Sequence, residues 1–201
     1  IVGERLDELD IPLMIPQNTS TKNQTAFTVS VDYNQGTTTG ISAQDRAATV
    51  EALIDPEVRS DKFTRPGHLF PLRYHPGGVL ARAGHTEAIV DLCEIAGTYP
   101  AGIVCEIMNE DGTMARLPDL EAFAEEHDLR LGTIADLVHY RALHDSTVEK
   151  VGEKEIETAH GPFQVHAFRD TLHGQVHLAL VRGDVNPRDP TLVRVHVPNT
   201  L

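Results

Sequence analysis

The spacing of apolar positions changes period several times along the chain, and each change predicts an element. In AFTVSVD, residues 26–32, Phe27, Val29 and Val31 alternate with polar neighbours, which puts those three on one face of a strand. A glycine-containing turn follows. TGISAQDRAATVEALIDP then switches to helical spacing. Ser42 and Asp45 stand at capping-box separation and Pro56 marks a stop, so the spacing predicts a helix over 43–54. HLFPLR (68–73) and VLA (79–81) read as short strands joined by the turn YHPGG.

HTEAIVDLCEIAG reads as a helix with Thr86 as N-cap, Glu87 in its first turn, an apolar stripe of Ile89, Val90, Cys93 and Ala96, and Gly97 at its end. GIVCEIM (102–108) reads as a strand ending at the turn NEDG. Two further helices are expected at about 119–127 and 134–144, the second opened by Thr133 and Asp136. Strand and helix therefore recur. The fold class expected is α/β (α+β): a mixed sheet covered by helices, followed by the first antiparallel strands of a second domain.

The boundary falls near residue 146. STVEKVGEKEIET is charged and has little apolar periodicity; short strands resume at FQVHAFRD, QVHLALVRGD and LVRVHV, with a hairpin turn near His173 and Gly174. Residues 1–146 form one expected domain, and 147–201 the start of another, too short to hold a complete core.

Composition narrows the functional classes. Residues are 40% apolar and 5% aromatic, enough for a real core. The formal net charge of −13, from 17 Lys plus Arg against 30 Asp plus Glu, argues against a nucleic-acid surface. An anionic substrate would need a local basic pocket. Cys93 and Cys105 are too few for a disulfide framework or a four-thiolate zinc site and fit a reducing cytoplasm. No apolar run approaches the roughly 20 residues of a membrane span. The chain opens on Ile1 and stops soon after a strand-like run, which leads us to expect an internal piece of a longer protein.

An Arg-x-Gly-His unit occurs twice, in TRPGH (64–68) and ARAGH (81–85). In the second, a chain turning at Gly84 into a helix offers free backbone N–H groups and a positive dipole end to an anion, with Arg82 and the Thr86 hydroxyl adding charge and a donor. His85 would stand beside that anion, free to bind a metal or move a proton. The same letters also suit a well-capped helix with a surface arginine. In the first copy Pro66 sits between Arg and Gly and an apolar strand-like run follows, so it cannot open a helix in the same way; Gly67 should make a turn and His68 should stand at a strand start, a rigid support for a catalytic group. It could equally be a turn histidine without a role.

Glu106 sits among apolar residues in GIVCEIM. A carboxylate there is costly unless paired, or else shifts toward a working general acid or base; a strand-end residue reaching solvent is the alternative. His173 and His177 flank the hairpin turn without a nearby Cys, His139 and His144 share a helix face poorly, and EAFAEEHD suits a solvated helix face.

TAFTVSVD, GISAQDRAAT, FTRPGHLFPLR, VLARAGHTEAIVDL, PAGIVCEI and TIADLVHYR, in this order and spacing, closely resemble 3,4-dihydroxy-2-butanone-4-phosphate synthase of riboflavin biosynthesis over residues 1 to about 145. The remainder resembles the start of a GTP cyclohydrolase II domain. The resemblance implies a Mg²⁺-dependent (or Mn²⁺-dependent) lyase that converts D-ribulose 5-phosphate to dihydroxybutanone phosphate and formate, working as a homodimer. It implies that Arg82, Ala83, Gly84, His85 and Thr86 bind the sugar phosphate, that His85 ligates metal, and that His68 and Glu106 are essential, with Thr39 and Glu106 touching substrate.

Two departures from the family pattern carry expectations. The acidic loop that supplies the family's metal-holding glutamate does not occur after Ile1, so the chain alone is expected to be inactive. Where cyclohydrolases continue Val-Arg-Val-His with Ser-Glu-Cys, this chain has Val197, Pro198 and Asn199, and asparagine is a poor substitute for a zinc thiolate. A degenerate, structural or regulatory second domain is therefore expected. A non-catalytic nucleotide-binding module and a zinc hydrolase are the rival readings.

Overall fold

The computed structural model describes residues 1–16, 25–186 and 188–196. It divides into two compact units, Ile1–His144 and Asp145–Leu201. In the first, helix α1 (Gly3–Glu8) precedes strand β1 (Val31–Tyr33), helix α2 (Ala43–Ile54), strand β2 (Phe63–Leu69), helix α3 (His85–Ile95), helix α4 (Leu117–Glu126) and helix α5 (Ile134–His144). The core gathers Leu6, Leu9, Ile11, Val31, Ala52, Leu53 and Phe63, so α1, α2 and the β1–β2 pair share one apolar interior. Arg5 is buried among them. Its guanidinium donates to Leu53 O in the last turn of α2 and to Asp55 O and Val58 O in the chain that follows, so it pins the end of that helix.

α2 begins where the sequence places it, with the Asp45 N–H donating to Ser42 Oγ at 3.0 Å. The β1–β2 pairing is antiparallel and irregular: Val31 faces Leu69, whereas Asp32 faces Thr64, so residues 65–68 bulge out of β2. Pro66 has no N–H to give a ladder, and Gly67 packs so tightly on the Val31–Asp32 peptide that any Cβ there would overlap it.

The α/β character stands, while several elements shift. VLA (79–81) belongs to one 3-10 turn, Gly78–Leu80, with Gly77 left-handed before it. α3 starts at His85 with Gly84 as its N-cap, so Thr86 is a buried first-turn residue rather than the cap. GIVCEIM forms no strand: Met108 bridges Met114 in a small hairpin, Gly102 lies on Ile89, and Ile103 and Val104 are exposed. An apolar run becomes a strand only beside a partner ladder, and the described residues provide none there.

The second unit is an antiparallel sheet in the order β3 (Val148–Thr158), β4 (Gly161–Asp170), β5 (Val176–Val181). β3 occupies the charged stretch read from sequence as a boundary. It pairs along its length with β4, Glu149 opposite Arg169 and Ile156 opposite Phe163. Nearly every β3 side chain meets solvent on both faces, which erases the apolar alternation a strand usually shows. The hairpin turn at His173 and Gly174 joins β4 to β5 as expected. Residues 192–196 carry no regular structure; Val197, Pro198 and Asn199 lie outside the described residues. Among the described residues no helix is long and apolar enough to cross a membrane.

Candidate active site

The bulge in β2 delivers His68 to β1. The His68 N–H donates to Asp32 Oδ1 at 2.9 Å, and His68 Nδ1 lies 2.7 Å from Asp32 Oδ2. The aspartate side chain is 13% exposed and the imidazole 46%, so the carboxylate is the buried support and the ring the accessible part. His68 therefore stands inside a bulged strand rather than at a strand start. Pro66 has no N–H to give, and the Gly67 N–H donates to Ser30 O and Oγ at 3.1 Å, which anchors the bulge beside His68.

The Thr37–Gly40 loop lies over this pair. Gly40 has φ +86° and packs against both Asp32 Oδ2 and His68 Nδ1 so closely that a side chain would overlap them. Asp45, buried on α2, ties the loop down through Oδ2, which accepts from Thr38 Oγ1 (2.7 Å), Gly40 N (2.9 Å) and Thr38 N (3.2 Å). The Thr38 hydroxyl leads these donors in holding the Asp45 carboxyl below its ordinary range. Thr39 is exposed at the crest, one residue from the glycine that touches His68.

A second group forms where α3 begins. No side chain caps its first turn, leaving backbone N–H groups open beside Gly84, as an anion site requires. Arg82 donates to Glu87 Oε2 in a short contact, and Gly84 lies against both groups. Glu87 is fully buried and also accepts from His75 N at 3.2 Å. One turn on, buried Asp91 accepts from Tyr74 Oη (3.1 Å), Val79 N (2.8 Å) and Arg141 Nη1 (2.7 Å). Burial, and then the Asp91 charge, push the Tyr74 phenol above its ordinary range. Ala26, Arg73, Tyr74, His75, Arg82 and Glu87 line a cavity of about 220 Å³ here. Arg73 is held by Asp7 as Arg82 is by Glu87, so both cations face a carboxylate.

The remaining expected residues are placed unevenly. Ala83 and His85 are exposed and Thr86 is buried. Glu106 is exposed on an unpaired segment, without hydrogen bond or ion pair to either group, so burial among apolar neighbours does not describe it. The alternating letters around it are an extended chain without a ladder. Among the described residues no three His, Cys, Asp or Glu side chains converge as a metal centre. His85 can offer one nitrogen, but the described residues alone do not make a divalent-cation site. Asp32, Gly40, Asp45 and Glu87 were not singled out for the site from sequence. An aspartate ending the alternating run TVSVD was the one available signal.

Comparison with known proteins places these residues in context. Residues 1–140 match the family described as 3,4-dihydroxy-2-butanone 4-phosphate synthase, and residues 149–201 match GTP cyclohydrolase II. A 3,4-dihydroxy-2-butanone 4-phosphate synthase of Pseudomonas syringae pv. tomato is 52% identical over 201 residues, 100% of this chain and 54% of that protein. The riboflavin biosynthesis protein RibBA of Aquifex aeolicus is 52% identical over 198 residues, 98% of this chain and 48% of that protein. The chain spans about half the length of the curated relatives it matches. Among solved structures, RibBX, a two-domain 3,4-dihydroxy-2-butanone 4-phosphate synthase from A. baumannii, superposes with a TM-score of 0.77 at 47% identity, covering 91% of this chain and 54% of that one. A 3,4-dihydroxy-2-butanone 4-phosphate synthase in complex with two magnesium ions superposes with a TM-score of 0.65 at 38% identity, covering 72% of each chain.

Proposed function

Since the chain belongs to the 3,4-dihydroxy-2-butanone 4-phosphate synthase family, we propose that it serves a lyase of riboflavin biosynthesis that converts D-ribulose 5-phosphate into 3,4-dihydroxy-2-butanone 4-phosphate and formate. The observation that carries this reading is the uncapped start of α3 with Arg82 beside it, a seat for a sugar phosphate. Arg82, Ala83, Gly84, His85 and Thr86 bind the phosphate end. His68, at the accessible end of the Asp32 pair, moves the proton on the carbon next to the substrate carbonyl, and Thr39 closes over it. Glu106 contacts substrate and is the second proton-transfer group. The reaction redistributes the atoms of one molecule between two products and needs no oxidant or reductant.

A divalent cation, Mg²⁺ or Mn²⁺, would polarise the carbonyl, with His85 as one ligand and the others from outside the described residues. The working assembly is a cytoplasmic homodimer that binds neither nucleic acid nor membrane. Residues 1–146 form the synthase domain, and 147–201 begin a degenerate GTP cyclohydrolase II-like domain.

The test is formate release from D-ribulose 5-phosphate by the chain, expressed with whatever coding sequence adjoins it. His68→Ala and Glu106→Gln should each lower the rate by at least about 100-fold. Unchanged rates in both would remove the assignment.

A further inference from the structure

Asp32 makes two bonds to one residue, and their chemistry is asymmetric. An ionised carboxylate only accepts, so the nitrogen 2.7 Å from Oδ2 must carry a hydrogen: His68 Nδ1 is the donor. With Nδ1 so engaged, a neutral ring keeps its lone pair on Nε2. The second bond, from the His68 N–H to Oδ1 at 2.9 Å, fixes the backbone that carries the ring. The carboxylate cannot turn away, because Gly40 packs against Oδ2 on one side and the β1–β2 bulge closes on the other. Asp45 in turn holds the Gly40 loop through the Thr38 and Gly40 donors.

We propose that Asp32 is a positioning residue that locks His68 in its Nδ1–H tautomer, so that Nε2 is the nitrogen presented to substrate as proton acceptor. Asp32 itself touches no substrate. Its role is to choose the tautomer and to stabilise the imidazolium that forms when Nε2 takes a proton. The proposal rests on the reading of His68 as a proton-transfer group only for its kinetic consequence; the tautomer is a property of the chain itself.

Long-range ¹H–¹⁵N spectra of the chain read the tautomer directly, recorded where His68 is neutral. The unsubstituted chain should show Nδ1–H. Asp32→Asn keeps an oxygen for the His68 N–H but turns an amide NH₂ toward Nδ1, so the ring should switch to Nε2–H while the His68 backbone signal holds its position. Asp32→Glu should restore Nδ1–H in part. With adjoining coding sequence, Asp32→Asn should lower kcat for formate release by about 100-fold or more while KM stays within about threefold, and Asp32→Glu should recover part of the loss.

Retention of Nδ1–H in Asp32→Asn would overturn the proposal, as would a tautomer switch that leaves kcat unchanged in a protein whose His68→Ala variant is dead. If the unsubstituted protein releases no formate while Asp32→Asn still switches the ring, the reading of function fails and tautomer control by Asp32 stands.

Discussion

Arg141 on α5 reaches Asp91 on α3 across 2.7 Å, and the Asp91 side chain is completely buried. The same carboxylate fastens Tyr74 and Val79, so this one ion pair joins two helices to the chain leading into the α3 N-terminus. Gly78, at φ +62°, is packed against both charges and admits no side chain.

Removing Arg141 leaves the Asp91 charge buried without its cation. Arg141→Ala should therefore lower stability by about 3–5 kcal/mol, measured by urea unfolding, whereas the paired change Asp91→Asn with Arg141→Met should recover much of the loss. A loss below about 1 kcal/mol for Arg141→Ala would mean that Tyr74 and Val79 alone satisfy the carboxylate.

Gly40 offers an internal comparison. Gly36 and Gly40 both have positive φ, at +71° and +86°, but nothing lies within 4 Å of a Cβ at Gly36, while one at Gly40 would overlap Asp32 and His68. Gly36→Ala should cost about 1 kcal/mol for the backbone conformation alone. Gly40→Ala should cost more and shift the His68 ring signals. Equal costs, with His68 undisturbed, would show that the loop relaxes away from the pair.

Asp45 gives the loop a pH dependence with a definite sign. The Thr38 hydroxyl and the Gly40 and Thr38 amides hold its carboxyl below the ordinary 3.8. Their contribution is therefore complete above that value and lost as pH falls through the lower folded-state value. The thermal stability of the chain should fall as pH drops below about 4, and Asp45→Asn should flatten that part of the profile and reduce stability at neutral pH. A slope identical to that of the unsubstituted chain would place the acid sensitivity elsewhere, for example at Asp7 beside Arg73.

Four of the five α-helices were legible because their signals are local; α1, which has no side-chain cap at Val2, was not read from the sequence. Ser42 with Asp45, Thr133 with Asp136, and Gly97 lie within a turn of the ends they mark, and α2 and α5 fall where those signals put them. Strands failed where the deciding partner is distant. GIVCEIM has strand letters without a ladder, and β3 has a ladder without strand letters, since β4 supplies pairing that its charged side chains do not announce. Of the site, His68 and the α3 start were singled out from spacing, whereas Thr39 came only from the family resemblance. Asp32 could not be, because only the register jump between Val31 and Asp32 brings a residue 36 positions away onto the histidine ring.

Arg82 separates charge from shape. Lysine would keep the cation for Glu87 but lose the planar fork that can bond Glu87 and a phosphate together. Arg82→Lys, made with adjoining coding sequence, should raise KM for D-ribulose 5-phosphate about 10-fold, equivalent to about 1.4 kcal/mol, and leave kcat within about threefold. A fall in kcat at constant KM would move Arg82 from ground-state phosphate binding to the reacting end.

Asn199 bears on the second domain. Where the resemblance to GTP cyclohydrolase II leads us to expect a zinc-binding cysteine, this chain has a neutral carboxamide, which offers an oxygen in place of a thiolate and cannot match its affinity for Zn²⁺. Purified protein, with adjoining coding sequence, should carry zinc well below one ion per chain and release no formate from GTP, even while it releases formate from D-ribulose 5-phosphate. Isotopically labelled GTP and ribulose 5-phosphate in one reaction distinguish the two sources of formate. Label appearing from GTP, with stoichiometric zinc, would show that other residues rebuild the metal site and that this domain is a working cyclohydrolase.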